Sequence, residues 1–146
     1  HLCLEALESI EDRDRARCAG AAAGPGSPEE RLERAFTEAF EMAASEPALR
    51  RMDMRTVERL ARALPPERIR EHEARDARAI ARIAEEWRRE GLLAEGVRDA
   101  EVGAAGYAVF LVAAGLGEFP EDLGEAVRSV TARGLARALA AEGGTV

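Results

Sequence analysis

The chain contains no lysine, no asparagine and no glutamine; all 21 of its basic residues are arginine. That removes Schiff-base chemistry, lysine general bases and amide-lined oxyanion holes together. Alternating β-branched or aromatic runs, which signal strands, are absent. Cysteine is sparse: Cys3 and Cys18 stand outside any metal-type spacing. In one helix they lie about 22 Å apart, too far to pair within the chain. Reduced thiols, and hence a cytoplasmic setting, are expected. No signal peptide is visible. The longest uncharged run, Val102 to Gly117, is shorter than the ~20 residues of a membrane span and holds four glycines, so no membrane contact is expected. The net charge is −7 and no basic run occurs, so these residues carry no nucleic-acid footprint. G-x-S-x-G, the phosphate-binding loop, C-x-x-C and H-E-x-x-H are all missing, and none of the four serines has a histidine at a telling spacing. No catalytic residue, and no enzyme, is expected.

What remains is material for one helical domain. A chain of 146 residues buries roughly 70% of its unfolded surface, and 47% of this one is apolar. Six helices are punctuated. The first spans Leu2 to Ala22, with Cys3, Leu7, Ile10 and Cys18 as its stripe, and ends at Gly24, Pro25 and Gly26. The second starts with a capping box: Ser27 caps, Pro28 takes the first position and Glu30 reaches back. Leu32, Phe36, Ala39, Phe40 and Ala43 follow, and Pro47 closes the helix. A short third spans Arg55 to Leu64 before Pro65 and Pro66. The fourth runs from Pro66 to about Glu90, with Ile69, Ala77, Ile80, Ile83, Ala84 and Trp87 on one face, Glu71–Arg75 and Glu85–Arg89 as wet-side pairs, and Gly91 as cap. Asp99 caps the fifth, to about Ala114; the sixth runs from Pro120 to Glu142 along Leu123, Val127, Val130, Leu135 and Leu139.

The fifth helix is uncharged on every face from Val102 to Ala114. A helix apolar all round is buried all round, and a domain this small has few helices to cover it. The sixth also carries small residues beside its stripe. The pair is expected to form an isologous dimer through Gly103, Ala104, Ala108, Leu111, Val127, Val130, Gly134 and Ala138.

The stretch from Phe36 to the Glu46, Pro47, Ala48, Leu49, Arg50 exit, the helix closing Glu86 to Leu93 with "G-L-L", and the final helix with Gly134 to Leu139 together resemble the C-terminal half of TetR-family transcriptional regulators. The resemblance covers nearly the whole chain. It implies an all-α, six-helix orthogonal bundle whose last two helices form a dimeric four-helix bundle. It implies a bridging helix over residues 1–22, pocket helices over 27–98 and dimerisation helices over 99–142. The family's N-terminal helix-turn-helix is absent. The His1 start fits a piece of a longer protein, so DNA is expected only through a preceding domain.

Phe36, Phe40, Met52, Met54, Ile80, Ile83, Trp87, Tyr107 and Phe110 are the large apolar residues on the presumed inward faces. Each is core packing or the wall of an apolar pocket. In the second case Tyr107 and Trp87 orient a small apolar effector through their polar groups. His72 and Asp76 at i,i+4 offer two metal ligands on one face, but no third is legible, so no metal and no cofactor are expected. The acidic runs Glu11–Asp12 and Glu29–Glu30 read as solvated faces. The expected function is a homodimeric, cytoplasmic effector-binding repressor domain; the alternative is a helical binding or scaffold module outside transcription.

Overall fold

The computed structural model describes residues 2–50 and 54–143. Among them the chain is all-helical: α1 (Leu2–Ala22), α2 (Pro28–Ser45), the single turn α3 (Pro47–Arg50), α4 (Met54–Ala63), α5 (Pro66–Arg89), α6 (Asp99–Gly115), a 3₁₀ turn at Leu116–Glu118, and α7 (Glu121–Leu139). The six expected helices are all present. The added turn α3 starts at Pro47, whose fixed φ suits a first helical position as well as it ends the helix before.

Local chemistry explains most boundaries. The Ser27 hydroxyl accepts from the Glu30 amide at 3.2 Å, and the Glu30 carboxylate accepts from the Ser27 amide at 2.8 Å. The last carbonyls of α1 are taken up from α2: the Arg31 side chain donates to Ala22 O at 2.6 Å and Arg34 to Ala21 O at 3.2 Å. After α5, Gly91 adopts a φ of +70°. The Gly91 amide donates to Arg88 O at 2.9 Å and the Leu92 amide to Trp87 O at 2.8 Å, which satisfies the orphan carbonyls as a Schellman turn.

Two boundaries differ from expectation. Arg98, not Asp99, is the capping residue of α6, and Glu101 accepts from its amide at 2.9 Å. Asp99 instead receives the Arg88 guanidinium at 2.5 Å, which ties α5 to the start of α6. And α7 stops at Leu139 rather than Glu142. Past it the chain is extended and pairs with the loop after α5: Ala94 N donates to Leu139 O at 2.9 Å and Ala141 N to Leu92 O at 2.8 Å. These two bonds replace the last helical turn and fasten the end of α7 over the buried Leu92 and Leu93.

The core is built around α2, which packs against α1, α6 and α7. Leu32, Ala35, Phe36 and Phe40 form its inner stripe. The Phe36 ring meets Trp87 of α5 edge to face, with centroids 6.2 Å apart. Burying each such side chain contributes about 1.5–3 kcal/mol. On α5 the buried positions are Ala79, Ala84 and Trp87, with Ile80 and Ile83 packed partly against the core; Ala77, expected inside, is exposed. Gly103 of α6 lies against Ile80: a Cβ there would sit 3.0 Å from Ile80 Cδ1, so the absent side chain sets how closely α5 and α6 approach.

The apolar stripe of α7 divides between two faces. Gly124, Ala132, Ala136 and Leu139 are buried, Val127 and Leu135 are half-buried, and Leu123 and Val130 are 47% and 67% exposed. Periodicity marks where large apolar residues fall, whereas close approach of α7 to α2 needs the narrow alanine face. Close packing selected the alanines.

Candidate functional site

The nine expected pocket residues divide into separate groups. Phe36, Phe40 and Trp87 are closed into the core, and Ile80 and Ile83 pack partly against it. Phe110 is half-buried and Tyr107 is 55% exposed, so the expectation that Tyr107 faces inward is corrected. Their rings stack on each other at 6.2 Å between centroids. Because α6 is apolar on every face, its sequence gave no sign of which face turns in. Met52 lies outside the described residues, as does the side chain of Met54. Two open surface clefts, each about 550 Å³, lie elsewhere. One is lined by Pro25, Gly26, Glu30, Glu33, Arg34 and Thr37, the other mainly by Pro28, Glu29, Arg137 and residues 140–143; neither contains any of the nine. The acidic lining of the first gives no cradle for phosphate.

The outer surfaces of α6 and α7 have a different character. On α6, Ala104, Tyr107, Leu111 and Ala114 are exposed at helical spacing. Phe119 is exposed in the connection, and on α7 Leu123, Ala126, Val130, Gly134 and Ala138 follow on one outward stripe. The two helices pack on each other. Of the expected dimer residues, Ala104, Leu111, Val130, Gly134 and Ala138 lie on this outer surface, and Ala108 and Val127 are half-buried at its margin. Gly103 is turned to Ile80 instead. By length and composition Asp99–Glu118 is apolar enough to cross a membrane, yet Val102, Ala105 and Val109 of the same helix are buried in the core.

A third feature joins His72 and Asp76, the pair legible at i,i+4, to residues of α1. Between α1 and the first half of α5, Glu8, Glu11, Asp12 and Arg15 face His72, Arg75 and Asp76. Arg15 donates to Asp76 at 2.6 Å, and Arg75 donates to Asp12. The expected Glu71–Arg75 pair is therefore replaced: Arg75 reaches across to α1, and Glu71 binds Arg68 at 2.8 Å. Nor is Glu11 simply solvated. Burial, and then the nearby Asp76 carboxylate, push its carboxyl above the usual range. These residues are 60 or more positions apart in sequence, so only the folded chain brings them together. The local hints are the i,i+4 spacing of His72 and Asp76 on α5 and the spacing of Glu8, Glu11, Asp12 and Arg15 along a single face of α1.

No family model, no curated protein and no solved structure matches this chain.

Proposed function

We propose that the chain is the effector-binding and dimerisation domain of a TetR-like transcriptional regulator, working as a homodimer through the outer surfaces of α6 and α7. The observation that carries the reading is the exposed apolar stripe of α7, on which Leu123 and Val130 are 47% and 67% exposed. Exposed apolar patches of this kind mark interaction surfaces. A second copy suits this one: the alanines and glycines between Tyr107, Leu111, Leu123 and Val130 admit close helix approach, and a two-fold axis buries the same residues twice. The helix order and the resemblance of the Phe36–Arg50, Glu86–Leu93 and Gly134–Leu139 segments support the regulatory assignment.

The effector in this reading is small and apolar. With Phe36, Phe40 and Trp87 packed against each other, it enters by opening the bundle. Away from the α6–α7 surface, the apolar stripe of α4 is poorly covered: Val57, Leu60 and the following Leu64 are only half buried. An effector that binds the opened form better than the closed one shifts the dimer between two states; one that binds both equally regulates nothing. DNA contact in this reading belongs to a domain preceding His1. The closed core also fits a dimeric scaffold outside transcription that takes no ligand. Reading the native gene upstream of the His1 codon separates the two. About 50 in-frame codons for a basic three-helix reader support the regulator. An unrelated domain or a start codon there overturns it.

A further inference from the structure

Both ring nitrogens of His72 face carboxylate oxygens. Nδ1 lies 3.4 Å from Glu8 Oε1, and Nε2 lies 3.4 Å from Asp76 Oδ2 and 4.0 Å from Glu11 Oε1. A neutral imidazole has only one N–H to donate. With that proton on Nδ1, shared with Glu8, the Nε2 lone pair and two carboxylate oxygens converge on one point. One ligand atom each from Glu11, His72 and Asp76 lies within 4.8 Å of the others, and among the described residues none donates a hydrogen bond to Nε2 or to Glu11 Oε1. Converging acceptors repel unless a metal ion or a second ring proton sits between them.

We propose that Glu11, His72 and Asp76 form a divalent transition-metal site that joins α1 to α5. The reading rests on this geometry alone and not on the regulatory assignment. Bonds of about 2.0–2.1 Å at tetrahedral angles place donor atoms about 3.4 Å apart, so His72 and Asp76 already have the spacing, while Glu11, 4.0 Å from Nε2 and within 4.8 Å of the Asp76 oxygen, has to draw in. The surroundings are those of a metal site. Glu8 takes the other ring nitrogen, which fixes the tautomer and aims Nε2. Arg15 holds Asp76 Oδ1 at 2.6 Å, which leaves Oδ2 for the cation. The guanidiniums of Arg15 and Arg75 flank Glu11 Oε2 at 3.7 and 4.0 Å, which leaves Oε1. Four carboxylates (Glu8, Glu11, Asp12, Asp76) stand against two guanidiniums, those of Arg15 and Arg75, an excess that favours a bound cation. The His72 side chain is 20% exposed, so solvent reaches the fourth position. An imidazole with two carboxylates favours zinc, cobalt or manganese over magnesium and calcium.

The test is titration of the purified chain with Co²⁺, read by visible d–d absorption, followed by displacement with Zn²⁺. A His1→Ala, Cys3→Ser background removes the other imidazole and a second soft donor. The expected result is one Co²⁺ per chain, displaced by Zn²⁺ and indifferent to excess Mg²⁺. His72→Ala abolishes the band, and Glu8→Gln weakens affinity about 10- to 100-fold through the ring orientation. Glu11→Gln, near-isosteric, also weakens it and keeps the test decisive if His72→Ala disturbs the helix junction seen by circular dichroism. Three results overturn the proposal: no Co²⁺ or Zn²⁺ binding at millimolar concentration with His72 simply protonated by NMR, equal competition by Mg²⁺, or undiminished binding in both His72→Ala and Glu11→Gln.

Discussion

Helices α2 and α7 are neighbours in the same bundle, yet they distribute their side chains in opposite ways. On α2 the large apolar residues Leu32, Phe36 and Phe40 are inside and the charges are outside. On α7, Ala136 is fully buried while Leu123 and Val130 look outward. The first helix satisfies its apolar stripe within the chain. The second has an inner face cut to fit α2 and an outer face that stays exposed among the described residues. The same sequence material, alanine with leucine and valine, thus serves close packing on one side and an exposed apolar surface on the other.

The comparison breaks most sharply at Val130. Val130→Glu places a charge on the outer stripe of each copy. Self-association is expected to weaken by at least about 100-fold, or ~2.7 kcal/mol, measured by sedimentation equilibrium. Helix content by circular dichroism should be unchanged, because that side chain is 67% exposed. Loss of helix content with association intact would place Val130 inside the fold. The inner face makes the opposite prediction. Ala136→Leu overpacks the α2–α7 contact and is expected to lower stability by about 1–3 kcal/mol in urea unfolding, while the outer stripe and its self-association persist. If Ala136→Leu is neutral, α7 does not lie as close to α2 as described.

A smaller effect tests whether α1 is as firmly seated as α2. Burial, reinforced by Asp14 and Glu38, pushes the Cys18 thiol up to about 12 from an ordinary 9.0. A raised folded value means that the native state holds the proton longer than the unfolded chain does. Its stabilisation is complete below pH 9 and is lost as pH rises from there toward 12, at about 1.4 kcal/mol per pH unit. The difference in unfolding free energy between parent and Cys18→Ala should therefore shrink across that window. In a Cys3→Ser background, Cys18 should also react slowly with a thiol reagent at pH 8. Rapid reaction there would show α1 opening from the bundle.

The legible parts of this fold are those governed by near neighbours. The Ser27–Glu30 box, the Gly91 turn and the break at Pro65 and Pro66 each depend on residues within a few positions, and each is found where the sequence puts it. What failed depended on the partner. The uniform apolarity of α6 carries no phase, so nothing in it tells that Tyr107 faces out and Gly103 faces Ile80. Asp99 looked like a cap because its alternative partner, Arg88, belongs to another helix. Arg75 was paired with Glu71 by the i,i+4 rule, but the acidic face of α1 offered a stronger partner. The Glu11–His72–Asp76 cluster lacked its third member for the same reason. Two of its ligands share one turn, and the third arrives from α1.

Light scattering across a micromolar concentration series tests the central claim most directly. A covered α6–α7 surface predicts a mass of twice the 15.8 kDa chain, reverting toward the single-chain mass in Val130→Glu. A mass of 15.8 kDa for the parent at every concentration would contradict it.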